Sequence, residues 1–162
     1  VVKEGFDLAF RFGDMEDSML VARKVISSSR RILASPDYIR EHGEPRAPDN
    51  LNLHRCLVSE FTPKWIFQSG NGQDQIIPDP FVRITDVSFA KKLAVEGLGI
   101  CMLPDLLTIQ EVNNGSLVPL LKTYSMTPVN LNLVLPSRGY QSASVKRFIE
   151  TVFEIIERDE WK

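Results

Sequence analysis

Two short segments carry the residue types best suited to bind a small ligand. Thr85, Asp86 and Val87 lie where a predicted strand leads into a helix, and a hydroxyl beside free backbone N–H groups can hold an anion there. Arg11 and Phe12 lie in an equivalent position at the end of the first predicted strand. In open α/β sheets, ligands bind beyond the carboxyl ends of strands. The sequence therefore predicts a ligand site at these five residues, with a plain helix cap and a surface arginine as the alternative.

One pair of residues could support nucleophilic catalysis. His54 and Cys56 are two residues apart, so on a strand they share a face and could form a nucleophile–base pair. No third residue that would orient the base is evident, and cysteine is among the most often buried residue types. Together with His42 and Cys101, the pair also lacks the close spacing of a structural zinc site. We therefore expect no catalytic residue, no metal ion and no cofactor.

Three further motifs are weaker. Gly97-Leu98-Gly99 follows a predicted helix and precedes a strand, the reverse of the order in a dinucleotide fingerprint, so a helix cap explains it better. Trp65 and Phe67 share a strand face and are expected in the core rather than as a stacking platform. Three acidic residues could hold a cation or act in acid–base chemistry, although a solvated turn is the expectation: Asp14, Glu16 and Asp17.

Strands alternate with helices along the chain, and these elements must position the candidate residues. The predicted strands cover residues 6–12, 25–34, 56–58, 65–67, 75–77, 81–85, 99–103, 117–121 and 130–135. The turn at residues 69–72 favours a hairpin, and Pro119 favours an edge position for its strand. Because strands separated by helices are typical of α/β folds, we expect such a fold with largely parallel strand pairing.

Caps and apolar spacing predict the helices. Ser35 caps a helix with Pro36 at its first position, and Asp86 caps a second helix that ends at a left-handed Gly97. A third predicted helix covers residues 105–112, and the last begins near Ser142 or Ser144. The apolar stripe expected on the last helix consists of Val145, Phe148, Ile149, Val152 and Ile156.

Composition excludes several classes of protein. The 162 residues are 43% hydrophobic and 25% charged, which is ordinary for a globular protein and unlike a disordered, collagen-like or membrane-spanning chain. The net charge is −2 and no basic stripe is present, so the chain by itself lacks the charge pattern of a nucleic-acid binder. Two cysteines and a start that does not read as a signal peptide favour a cytoplasmic location. The chain begins with the apolar pair Val1-Val2 shortly before a predicted strand, which indicates a fragment of a longer protein.

Seven segments keep one order and spacing from end to end of the chain. They are DLAFRFGD at 7–14, DSMLVAR at 17–23, LASPDYI at 33–39, GEPRAPDNL at 43–51, HRCL at 54–57, WIF at 65–67 and, most strongly, AVEGLGICMLPD at 94–105. Together they resemble the effector-binding domain of LysR-type transcriptional regulators. No single segment is diagnostic, but the ordered set is specific.

The resemblance implies a fold like that of type II periplasmic binding proteins, with two α/β lobes joined by crossover strands and a small molecule in the cleft between them. Residues 1–31 and 130–162 would form lobe I, and residues 32–129 would form lobe II. The family's first lobe has two earlier strand–helix units, with a winged helix-turn-helix further upstream, so lobe I is expected to be incomplete here. Arg11, Phe12, Thr85 and Asp86 match positions that face the family's effector, and Arg11 favours an anionic one.

The implied function is sensing of a small-molecule effector, with the signal passed through homodimer or homotetramer packing to DNA-binding domains outside this chain. The helix at residues 87–96 matches a family interface helix, and Lys91 and Lys92 are expected to border that interface. The resemblance implies neither a membrane partner nor an enzyme. Two alternatives remain: a solute-binding receptor of a transport system, which shares the fold, and a hydrolase that uses Cys56 and His54.

Overall fold

Strands and helices alternate along the part of the chain that this computed structural model describes, residues 6–13, 20–69, 72–136 and 142–158. The strands are β1 (Ala9–Phe12), β2 (Leu20–Ser28), β3 (Arg30–Ala34), β4 (Cys56–Ser59), β5 (Trp65–Ser69), β6 (Gly72–Ile76), β7 (Pro80–Ile84), β8 (Ile100–Pro104), β9 (Val118–Leu120), β10 (Ser125–Met126) and β11 (Val129–Pro136). The α-helices are α1 (Pro36–His42), α2 (Val87–Val95), α3 (Ile109–Asn113) and α4 (Ala143–Glu157), with short 3₁₀ helices at Pro48–Leu53 and Asp105–Leu107. The chain divides into unit 1, Val1–Ser27 with Val129–Lys162, and unit 2, Ser28–Pro128.

Unit 1 combines a three-stranded sheet with one long helix. The strand order is β1-β11-β2, and β1 runs antiparallel to β11 with Arg11 opposite Asn132. Helix α4 begins after Ser142, whose hydroxyl accepts the Val145 N–H at 3.2 Å. This cap confirms the predicted start of the last helix.

The apolar stripe predicted for α4 is partly wrong. Ile149 is buried in the core of unit 1, and Val145 and Phe153 pack beside it. Phe148, which the prediction placed in the stripe, is 47% exposed. The core contacts of α4 repeat every four residues, at Val145, Ile149 and Phe153, because residues i and i+4 lie above one another on one helix face.

Unit 2 contains a five-stranded sheet in which the prediction of largely parallel pairing is wrong. The strand order is β7-β4-β8-β3-β9, with β4 parallel to β7 and β8, and β3 antiparallel to β8 and β9. A second sheet of order β10-β5-β6 contains the predicted hairpin and is antiparallel. The edge position of β9 confirms the prediction from its proline. Alternation of strands with helices does not fix strand direction here because β3 pairs with strands that are distant in sequence.

Both faces of β3, in the middle of the five-stranded sheet, are buried from Ile32 to Ala34, and neighbouring residues alternate between them. Ile32 and Ala34 of β3 join a core cluster that includes Trp65 and Phe67, whereas Leu33 joins the cluster beneath α2. Trp65 and Phe67 are 1% and 0% exposed, which confirms their predicted core position. The sheet therefore holds α2 on one face and the hairpin on the other.

The predicted caps of α1 and α2 are confirmed. Ser35 Oγ accepts the Tyr38 N–H at 3.2 Å, and a carboxylate oxygen of Asp86 accepts the Ser88 N–H at 2.8 Å. Gly97 has a φ of 77°, the left-handed conformation expected after a helix end. These bonds fix where each helix begins or ends relative to the strand beside it.

A polar network links α1 to the segment before β4. The Tyr38 side chain is 1% exposed, and its hydroxyl accepts the Arg55 N–H at 3.0 Å. His54 Nδ1 lies 3.2 Å from the same hydroxyl, so a neutral His54 can accept the Tyr38 O–H. Burial and, to a smaller extent, the charge of His42 lower the pKa of His54 from its ordinary value of 6.5. The folded state therefore favours neutral His54.

We predict that the free energy of unfolding falls as the pH drops below about 6.5. Below this pH the unfolded state binds a proton at His54 more readily than the folded state does, because the folded-state pKa is lowered. The contribution of neutral His54 to the free energy of unfolding is therefore present above pH 6.5 and is lost as the pH falls through the folded-state pKa. Urea unfolding at about pH 7.5 and about pH 5.5 measures the change. His54→Gln removes the titrating group and should shrink the difference between the two conditions. An undiminished difference in this variant would contradict the role of His54.

Candidate functional site

The junction of β7 and α2 holds three of the five predicted ligand residues. Thr85 follows the carboxyl end of β7 and is exposed, Asp86 caps α2, and Val87 is its first residue. The Asp86 carboxylate accepts the Ser88 N–H at 2.8 Å, and its carbonyl oxygen accepts the Ala90 N–H at 3.1 Å. The junction thus presents a hydroxyl beside a carboxylate at the end of a parallel strand, where α/β sheets commonly bind ligands.

The Asp86 carboxylate changes what this junction can bind. It occupies a backbone N–H that an anion would otherwise use, and its charge offsets the positive end of the α2 dipole. Both effects disfavour an anionic group at the junction itself. A group that donates hydrogen bonds, or carries a positive charge, suits Asp86 and Thr85 better.

The other two predicted residues lie at the end of β1 in unit 1. Arg11 is exposed, and Phe12 is half-buried. The Gly13 N–H donates to Asn130 O at 2.9 Å, and Asn132 Nδ2 donates to Gly13 O at 2.8 Å, so both backbone polar groups of Gly13 are held by β11. The nearby guanidinium of Arg11 can pair with a carboxylate or phosphate. The predicted residues therefore form two groups, one in each unit.

His54 and Cys56 are not arranged for nucleophilic catalysis. His54 Nδ1 faces the Tyr38 hydroxyl, whereas the Cys56 thiol donates to Leu51 O at 3.4 Å. Burial raises the pKa of Cys56 to about 12, whereas a reactive thiol needs a lowered pKa. Burial likewise raises the pKa of Cys101 to about 12. These contacts favour a structural role for both cysteines and give the hydrolase alternative no support.

The Gly97-Leu98-Gly99 motif is explained by packing. Gly97 ends α2 in the left-handed conformation, and a Cβ at position 99 would overlap the Arg55 carbonyl oxygen. That oxygen accepts the Ile100 N–H at 2.8 Å, so the two backbone segments must approach closely. The motif therefore needs no bound nucleotide to account for its glycines.

The remaining acidic and metal-binding candidates provide no site among the residues that the structure describes. The cluster of Asp14, Glu16 and Asp17 lies outside the described residues. Among the residues that the structure describes, no group of three or more His, Cys, Asp or Glu side chains could hold a metal ion. Within those same ranges, no helix is both long enough and apolar enough to cross a membrane.

Lys91, predicted to border an interface, is engaged inside unit 2. Its Nζ lies 2.6 Å from Glu111 Oε1 and donates to Leu107 O at 3.0 Å. Burial tends to raise the pKa of Glu111, but the hydrogen bond and charge of Lys91 hold it below its ordinary value. This ion pair ties α2 to the segment after β8, whereas Lys92 is exposed.

Sequence reasoning missed a pocket in unit 2. It has a volume of about 530 Å³, and its lining includes Arg30, Arg31 and Lys122. Arg31 forms an ion pair with Asp105 at 2.9 Å. The adjacent arginines at positions 30 and 31 are a signal in the sequence that could have indicated this pocket. Their position at the pocket depends on the direction of β3.

Relatives of known sequence cover most of the chain. The family model described as the LysR substrate binding domain matches residues 1–155. An uncharacterized HTH-type transcriptional regulator of Haemophilus influenzae is 32% identical over 143 residues, which make up 86% of this chain and 50% of that protein. The HTH-type transcriptional regulator CrgA of Neisseria meningitidis is 32% identical over 126 residues, or 75% of this chain and 41% of that protein. The chain thus spans about half the length of the curated relatives it matches.

Solved structures share the fold. The regulatory domain of CrgA, a LysR-type transcriptional regulator from Neisseria meningitidis, has a TM-score of 0.83 at 26% identity, and the match covers 96% of this chain and 78% of that one. Full-length AphB, the Vibrio cholerae virulence activator, has a TM-score of 0.76 at 27% identity, with coverage of 92% and 51%.

These similarities confirm the predicted α/β fold, which is that of LysR regulatory domains and is of the type II periplasmic-binding-protein kind. The named relatives are transcriptional regulators, so the alternative of a transport receptor is not supported. The chain belongs to the LysR substrate binding domain family.

Proposed function

We propose that this chain is the effector-sensing regulatory part of a LysR-type transcription regulator that acts in the cytoplasm. The observation that carries this proposal is the family match over residues 1–155, together with relatives named as HTH-type transcriptional regulators. DNA is bound by a domain outside these 162 residues, because the chain itself has a net charge of −2 and no basic stripe. In this proposal the chain binds a ligand and catalyses no reaction.

The effector contacts Arg11 and Phe12 in lobe I, residues 1–31 and 130–162, and Thr85, Asp86 and Val87 in lobe II, residues 32–129. The exposure of Arg11 and Thr85 and the carboxyl-end position of Thr85 support this assignment. The charges of these side chains indicate which groups the ligand carries. An anionic group would pair with Arg11, and a hydrogen-bond donor would meet Asp86.

Binding acts through the packing of subunits in a homodimer or homotetramer. A ligand that binds one arrangement of the chain more tightly than another shifts their populations, and altered packing reaches the DNA-binding domains. Helix α2 lies at the interface between copies. Lys92 borders this interface, whereas Lys91 is held by Glu111 within its own unit.

Arg11→Ala and Thr85→Ala should each weaken effector binding without unfolding the chain, because both side chains are exposed. Loss of a hydrogen bond to a charged group costs about 1.5–3 kcal/mol, so Arg11→Ala should weaken Kd roughly tenfold or more, and Thr85→Ala by a smaller factor. Small organic acids are first screened for those that raise the melting temperature of the chain. The affinity of such an acid for the wild-type chain and for each variant is then measured by titration calorimetry. Arg147→Ala, which removes an exposed arginine from α4, is the matched control. Unchanged affinity in both test variants would remove these residues from the site.

Lys92→Glu should weaken self-association by up to about fivefold, since a charged residue at the rim of an interface contributes up to about 1 kcal/mol. Light scattering over a concentration series measures the association of the wild-type chain and the variant. Lys64→Glu makes the same charge change at an exposed position outside α2 and should have no effect. A strict monomer at high concentration, or equal effects of the two substitutions, would contradict the interface.

A further inference from the structure

The pocket in unit 2 lies where three strand ends meet. Its volume is about 530 Å³, and its walls come from the start of β3, from Asp105 after β8 and from the segment after β9. Arg31 of β3 pairs with Leu103 of β8, and Ile32 pairs with Leu120 of β9. Because β3 runs antiparallel to both neighbours, its first residues lie at the edge where β8 and β9 end.

Positive charge dominates the polar lining of this pocket. Arg30, Arg31 and Lys122 are opposed there by one carboxylate, that of Asp105. Asp105 Oδ2 lies 2.9 Å from the Arg31 guanidinium, while 46% of the Arg31 side chain is exposed. The ion pair thus holds the guanidinium in place and leaves part of it available for a second anion.

Part of the pocket wall is apolar. Ile32, Leu120, Tyr124 and Met126 line it, and all four belong to, or pack against, one core cluster of unit 2. A ligand that enters this space therefore meets fixed hydrocarbon and an aromatic ring as well as cations. An inorganic anion would contact the cationic side chains but would leave the apolar part of the wall without a partner.

Leu121 gives a second indication that this wall is built for a ligand. Within the described ranges it is the one non-glycine residue with a positive φ, 50°, and it is only 6% exposed. A left-handed backbone at such a residue costs about 1–2 kcal/mol, and strained residues of this kind cluster at binding sites. The turn at Leu121 directs the chain from β9 to Lys122 and Tyr124 at the pocket.

We propose that this pocket binds a small organic carboxylate, with its carboxylate at Arg31 and Lys122 and its apolar body against Tyr124 and Met126. The site is distinct from the junction of β7 and α2. β3 and β7 are three strands apart in the sheet, which is about 14 Å. The pocket goes beyond the proposed effector site, and either assignment can fail without the other.

NMR titration of the chain with 2-naphthoate tests the proposal, with 2-naphthamide as its neutral isostere. Amide shifts should change at residues 29–32 and 119–126, and the amide should bind about tenfold more weakly because it lacks the charge. Lys122→Gln should also weaken 2-naphthoate binding about tenfold, while Lys122→Arg should retain it. Lys64→Gln, at an exposed position outside the pocket, should leave binding unchanged.

Arg31→Gln should weaken binding by a similar factor, but it also breaks the ion pair with Asp105. Lys122 is exposed, so Lys122→Gln keeps the test decisive if the Arg31 variant unfolds. Equal binding of 2-naphthamide, equal binding of inorganic phosphate, no shift changes at residues 29–32 and 119–126, or full affinity in Lys122→Gln would each overturn the proposal.

Discussion

The antiparallel insertion of β3 between β8 and β9 is the constraint on which the rest of unit 2 depends. Both faces of this strand must be covered, and Ile32, Leu33 and Ala34 are accordingly 2%, 0% and 0% exposed. The alternation along β3 assigns Leu33 to the face beneath α2 and its neighbours to the face that holds the hairpin. The same direction leaves Arg30 and Arg31 at the start of the strand, beside the carboxyl ends of β8 and β9. A parallel β3 would carry both arginines to the opposite edge.

One edge of the sheet thereby collects the groups that can meet a ligand. Its β7 end presents Thr85 and the Asp86 carboxylate, whereas its β3 and β9 end presents Arg31 and Lys122. The two ends differ in charge, so they favour different chemical groups. The ion pair of Lys91 with Glu111 ties α2 to the segment that follows β8, and this ties the β7 end to the middle of the sheet. The ligand sites proposed at this edge are thereby linked to α2, the helix proposed to contact another subunit.

The features that the sequence predicted correctly are mostly local. Ser35, Asp86 and Gly97 make bonds or adopt conformations set within a few residues, and the predicted hairpin joins adjacent strands. The predicted parallel strand pairing was wrong because the partners of β3 are distant in sequence. The apolar periodicity of α4 did not show that Phe148 would be exposed. The pocket could not be predicted for the same reason, since Arg31 and Asp105 meet only through the pairing of β3 with β8. The family was identifiable because the quoted segments form an ordered set along the whole chain.

The most direct test of this account is a fragment screen by NMR that maps, for every anionic or polar hit, which backbone amides of unit 2 change their shifts. We expect the changes to concentrate at the edge formed by the start of β3 and the ends of β7, β8 and β9, at residues 28–31, 84–88, 104–106 and 120–126. Changes concentrated at the other edge, around residues 34–35, 56, 80, 99–100 and 118, would instead show that ligands do not use the edge to which β3 brings its arginines.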